Sequence, residues 1–143
     1  PHSYDQNPLT TLVMEKLNPV LFTVVEVLDP EKLRAVQLAG ADSVVCASEI
    51  SAGLIVQELQ DPGIRDILMD LTSDQGGHHL CFLPLSGRGS YGDLVQWGLG
   101  RGASVIGVMR DGRHRLACPP ELPLQAGDRA IVVAADRPAP PDL

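Results

Sequence analysis

Aromatic residues are scarce: 143 residues include two Phe, two Tyr and one Trp. Phe22, Phe82, Tyr4, Tyr91 and Trp97 are too few and too scattered for a base-stacking platform. Positive charge is also short, with 11 Lys and Arg against 18 Asp and Glu and a formal net charge of −7. That balance argues against wrapping nucleic acid or lying on an anionic membrane. No run approaches the ~20 apolar residues that span a bilayer, and the polar opening PHSYDQNP does not read as a signal peptide. Cysteine is limited to Cys46, Cys81 and Cys118, an odd number without CxxC spacing, each in an apolar run. Buried free thiols in a reducing compartment fit best, which points to the cytoplasm. Pro1 in place of Met suggests a piece of something longer.

What is present is 44% hydrophobic residues, enough for a core. Leu9, Leu12, Val13 and Leu17 recur at helical spacing after Asp5, and Asn18-Pro19 ends that helix. Leu21 to Leu28 is a nearly continuous apolar run, the pattern of a parallel strand covered on both faces. Asp29-Pro30-Glu31 predicts a helix start, and Gly40 its stop. DSVVCAS, residues 42–48, is a second strand, giving a βαβ unit. Ser48 is expected to cap a helix over 49–60, with Asp61-Pro62 starting another from Gly63 to about Leu71. Ile50, Leu54, Ile55, Leu59, Ile64, Ile67, Leu68 and Leu71 give these two segments more apolar surface than one covering helix needs. They suit either a kinked helix on its own sheet or a helix pair that also packs on a second subunit.

From Thr72 the elements become short and glycine-rich. A strand HLCFLPL and a short helix from Tyr91 precede SVIGVMR-DG-RHRLAC, a two-residue hairpin by its turn chemistry. RAIVVAA is the last strand, and the Pro-rich end 136–143 reads as disordered. The lobe boundary is expected near 72–78.

Chemistry is sparse. Gly87, Gly89 and Gly92 form a literal GxGxxG with Asp111 nineteen residues on, formally a dinucleotide fingerprint. The interrupted helix and the hairpin that follow favour an ordinary glycine turn. His78 and His79 alternate faces and lack partners at zinc spacing. Arg110, Arg113, His114 and Arg115 suit a surface edge strand guarded by charge. No nucleophile elbow is present. Glu26 interrupts an apolar strand and needs water, a counter-charge or a cation. With Asp5 at the same sheet end it would offer oxygen ligands to a hard divalent ion.

The run LAGADSVVCASEISAGL, with VIGVMRDG and the closing Leu124, Gly127, Asp128 and Val132, resembles an RCK domain (regulator of K⁺ conductance, TrkA-N and TrkA-C type) over roughly residues 5–135. The segment 60–85 is also similar to Castor/Pollux-like channel sensors. The resemblance implies an α/β fold: a partial Rossmann-like parallel-sheet lobe over 1–48, a crossing helix pair over 49–73 that forms the dimer contact, and a small α+β lobe over 78–135. It implies a non-enzymatic, ligand-sensing domain that forms a homodimer or ring and gates a potassium channel or transporter pore at the inner membrane face, without nucleic acid. Glu26, with Asp5, matches an acid that some members use for Ca²⁺ or Mg²⁺, although Leu28 stands near a position that is acidic in those members. The glycine-rich first half that binds NAD or another adenine nucleotide in the family is not found upstream of residue 5. Two other functions are weighed: a nucleotide-dependent oxidoreductase fragment using Gly87, Gly89 and Gly92, and a ligand-free dimerisation module.

Overall fold

The computed structural model describes residues 7–18, 20–73 and 77–143 and divides into two units, one reaching Ile64 and one starting at Arg65. The division falls ahead of the expected 72–78.

In the N-terminal unit, α1 (Asn7–Leu17) precedes β1 (Val24–Val27), α2 (Leu33–Leu38), β2 (Ser43–Cys46) and α3 (Ala47–Gln60). β1 and β2 run parallel in a two-stranded sheet, with Val24 opposite Ser43 and Val27 opposite Cys46. This is the βαβ unit expected from the sequence. Its helical part starts differently: Asp29 accepts from the Glu31 amide at 3.0 Å, but Pro30–Lys32 form a 3₁₀ turn before α2 begins.

β1 is shorter than the apolar run that suggested it, and it is not covered on both faces. Val25 and Val27 turn inward, whereas Val24 is 60% exposed and Glu26 is exposed. One face of the strand packs on Val36 of α2 while Val24 and Glu26 on the other are exposed, so the pattern is alternation rather than full burial. Val27, Val36 and Cys46 form a core of three buried side chains, with Leu33 and Val44 packed around them. A polar knot ties the start of the sheet to α1. The Thr23 amide donates to Asp42 Oδ2 at 2.7 Å, and the Thr23 hydroxyl donates to Glu15 Oε1 at 2.7 Å.

β2 runs straight into α3. Cys46 holds the N-cap position without a side-chain capping bond to the helix amides, and Ser48 lies inside the helix rather than capping it.

The C-terminal unit carries most of α4 (Ile64–Thr72), then β3 (His79–Pro84), α5 (Tyr91–Leu99), β4 (Ser104–Arg110), β5 (Arg113–Leu116) and β6 (Arg129–Ala134). The four strands form an antiparallel sheet in the order β3-β6-β4-β5. Asp111 and Gly112, at φ 50° and 72°, make the left-handed two-residue turn that the Asp-Gly pair predicts. Leu83, Leu94, Val108, Ala130 and Val132 are almost wholly buried between α5 and the sheet, at the centre of an eleven-residue core.

The Pro-rich end is placed rather than disordered. Leu143 packs on this core, and its carbonyl accepts the amides of Ser86 and Gly87 at 2.5 and 3.0 Å. Apolar contact and two backbone bonds hold a segment that composition alone marks as loose. Among the described residues, no helix is long and apolar enough to cross a membrane.

Candidate functional site

A groove of about 590 Å³ runs along β1, lined by Thr11 and Met14 of α1 and by Phe22, Val24, Glu26 and Leu28. Phe22 is 71% exposed. Among the described strands, β1 pairs with β2. The groove mixes apolar side chains with Thr10, Thr11, Thr23 and the Glu26 carboxylate.

Ca²⁺ asks for six to eight oxygens and Mg²⁺ for an octahedron. Among the described residues, Glu26 is the only acidic side chain lining the groove, and no group of three or more His, Cys, Asp or Glu could hold an ion. Asp5 lies outside the described residues. The described side chains therefore do not fit a divalent ion by themselves.

The eight apolar residues proposed for assembly divide between two helices. In α3, Ile50 and Ile55 are exposed, Leu59 is 80% exposed and Leu54 is half-buried; the helix has no buried residue over fourteen positions. In α4, Ile67 and Leu68 are exposed, Ile64 and Leu71 are half-buried, and again none is buried. Of the two sequence readings, a helix packed down on its own sheet does not describe α3: a covering helix buries a stripe.

The GRGSYG loop joins β3 to α5. In a dinucleotide fold the amides at such a helix start point at phosphate. Here they are already occupied. Asp93 Oδ2 accepts from the Ser90 amide at 2.8 Å, and the Ser90 hydroxyl accepts from the Asp93 amide, a reciprocal capping box. The Tyr91 amide donates to Leu122 O at 2.8 Å and the Gly92 amide to Pro120 O at 2.9 Å. The Ser90 hydrogen bonds hold the Asp93 carboxyl below the usual carboxylate range, so the helix start already carries an anion at neutral pH. Its strand also belongs to an antiparallel sheet. The geometry is that of a glycine turn.

The histidines diverge. His78 Nδ1 lies 3.3 Å from Asp70 Oδ2, while His79 opens β3. His114 sits on β5, whose four residues are all exposed at the end of the sheet, the charge-guarded edge expected.

The sequence reading missed the pairing of Arg110 with Asp128. Arg110 Nε and Nη2 grip Asp128 Oδ1 and Oδ2 at 2.8 and 2.7 Å, and the Gln125 amide donates to Oδ2 at 2.8 Å. Asp128 is 2% exposed. Arg110 holds its carboxyl below the usual range, against the upward push of desolvation and with help from the Gln125 amide. The available signal is an acid, Asp128, placed directly before the last strand with its apolar run.

No protein-family model matches the chain, and no curated protein sequence matches it. Solved structures do. The human SLO3 gating ring superposes with a TM-score of 0.72 at 14% identity, over 92% of this chain and 29% of that one. The GsuK channel bound to NAD gives 0.41 at 19% identity, over 95% of this chain and 24% of the other. The GsuK RCK domain gives 0.40 at 19%, over 95% and 29%. The chain spans less than a third of each of these structures. The likeness to the SLO3 structure establishes the fold: a mixed α/β, Rossmann-like architecture of the kind seen in a gating ring.

Proposed function

We propose that this fold serves as a regulatory, non-catalytic module: a cytosolic ligand-sensing domain that pairs with further copies and gates a potassium channel or transporter at the inner face of the membrane. The observation that carries the proposal is α3, a fourteen-residue helix with Ile50, Ile55 and Leu59 in the open and nothing buried. An exposed apolar helix face of this kind is stable in water when a partner covers it. A second copy of the same helix is the partner that a ring-forming fold supplies, and closed assemblies are most often built from such self-complementary patches. Ligand binding would then act by favouring one arrangement of the assembly over another.

The test is the mass in solution. The parent chain is expected to run as a dimer or larger, and Ile55→Asp with Leu59→Asp to run as a 15.3 kDa monomer with unchanged far-UV circular dichroism. A parent that stays monomeric through the micromolar range overturns the proposal.

A divalent cation remains the proposed ligand for Glu26 together with Asp5. Titration calorimetry with Ca²⁺ and Mg²⁺ is expected to show binding that Glu26→Ala weakens at least about tenfold. Affinity that survives the change unaltered removes Glu26 from the site. Assembly with no heat from either ion or from NAD leaves a bare dimerisation module.

A further inference from the structure

The two edges of the β3-β6-β4-β5 sheet are guarded by different means. β5 carries Arg113, His114 and Arg115, all exposed, and such charge discourages another strand from pairing. β3 has no such guard: its residues are His79, Leu80, Cys81, Phe82, Leu83 and Pro84. Something else must protect that edge.

Which backbone groups face outward can be read from the hydrogen bonds. In an antiparallel strand each residue's N–H and C=O point to the same side, and sides alternate along the strand. The Leu85 amide donates to Asp128 O at 2.9 Å, so the odd positions face β6. The even positions, Leu80, Phe82 and Pro84, face away. In agreement, the Phe82 carbonyl accepts from Arg137 Nη2 at 2.9 Å, a bond spanning 55 residues of sequence.

Arg137 belongs to the segment that follows β6. β6 finishes at Ala134 opposite His79, yet Leu143 bonds the amides of Ser86 and Gly87 at the far end of β3. Residues 135–143 must therefore travel the length of β3, about 23 Å for the seven steps from His79 to Ser86, within the roughly 30 Å reach of nine extended residues. Pro138, Pro140 and Pro141 lie on this path and have no N–H to donate, so the segment cannot become a fifth strand. It is pinned by the Arg137 side chain, by buried Pro141 and by Leu143.

We propose that residues 136–143 are a displaceable strap over the outer edge of β3, and that the uncovered edge pairs with β3 of a second copy. The pairing is self-complementary. Two β3 strands related by a two-fold axis at Cys81 set Leu80 opposite Phe82 of the other copy, and each such pair exchanges both of its backbone hydrogen bonds. Leu80, 46% exposed, would gain cover in the process. The strap makes few backbone bonds and a strand makes many, so removing the strap favours association.

The experiment compares the full chain with a chain ending at Ala135, both carrying Ile55→Asp and Leu59→Asp so that contacts through α3 do not contribute. Sedimentation gives the mass, and site-resolved amide hydrogen exchange gives the protection of Leu80 and Phe82. The full chain is expected to stay monomeric. The shortened chain is expected to double in mass with rising concentration, and its Leu80 and Phe82 amides to slow at least about tenfold as it does so. Arg137→Ala in the intact chain covers the case in which the shortened chain does not fold, and is expected to give partial dimer with the same two amides protected. Two results overturn the proposal: exchange at Leu80 and Phe82 that is indifferent to concentration in both variants, or dimers in which those amides stay unprotected.

Discussion

Asp128→Ala is expected to lower the melting temperature of the C-terminal unit more than any other single change to a side chain's charge. The carboxylate is 2% exposed and holds three hydrogen bonds, two from Arg110 and one from the Gln125 amide. Removing it strands a guanidinium and a backbone amide, and breaking a buried pair from one side costs about 3 kcal/mol or more. For a unit of this size each kcal/mol moves the midpoint by roughly 4–8 °C, which gives a fall of roughly 12–24 °C by calorimetry. Asp128→Asn keeps one oxygen that accepts from both the Gln125 amide and Arg110 Nη2 but sets its NH2 against Arg110 Nε, and is expected to lose about half as much. Arg110→Met combined with Asp128→Leu removes both charges at once and is expected to be milder than Asp128→Ala alone.

The same pair gives a pH dependence with a definite sign. Asp128 has a lowered carboxyl in the folded state, so the unfolded chain binds its proton first as the solution is acidified. The contribution is complete above the unfolded value of about 3.9 and is lost as pH falls through the folded one. The acid limb of the stability profile is therefore expected to flatten in Asp128→Asn. An unchanged acid limb in that variant would assign the dependence to other carboxylates.

Gly87→Ala is the second large effect, and it separates two readings of the GRGSYG loop. Gly87 has φ +86°, and a Cβ there would run into the backbone of Gln125 and Ala126. The left-handed backbone costs an L-residue roughly 1–2 kcal/mol, and forcing the two segments apart adds roughly 1–3 kcal/mol. The expected outcome is a loss of about 3 kcal/mol in denaturant unfolding, with no saturable NAD binding in parent or variant. A variant that keeps its stability and loses a parent's NAD affinity would return the loop to nucleotide recognition.

Local chemistry made much of this fold legible. Asp111-Gly112 identified the hairpin because a left-handed pair of residues has few substitutes. The βαβ unit was readable because two β-branched runs flank a segment opened by Asp-Pro-Glu. Long-range choices were not readable in the same way. The order β3-β6-β4-β5 rests on pairings across the whole unit, and the Arg110–Asp128 pair joins residues eighteen apart that local patterning sorts into a charged hairpin arm and a turn. The misplaced α3 cap has a similar cause: Ser48 is a good cap, but β2 leads directly into the helix and leaves no loop for it. The capping box at Ser90 and Asp93 was written in the sequence but hidden beneath a glycine pattern with a better-known meaning. Of the candidate site, the surplus of apolar residues in α3 and α4 left burial on their own sheet and exposure toward a second subunit equally open, and the path of residues 136–143 was not legible, because composition describes a segment's average behaviour and not its anchor points.

The inequality of the two cores has a thermodynamic consequence. Among the described residues, one unit is organised around a cluster of eleven buried residues and the other around three. Two bodies so differently endowed are expected to melt in separate transitions, in which case a single free energy of unfolding is not a defined property of the chain. The smaller body, with its parallel strand pair and bare helix, draws its stability from whatever covers it. Dilution alone should loosen it while the larger body stays intact, so that melting of the N-terminal half becomes a readout of occupancy.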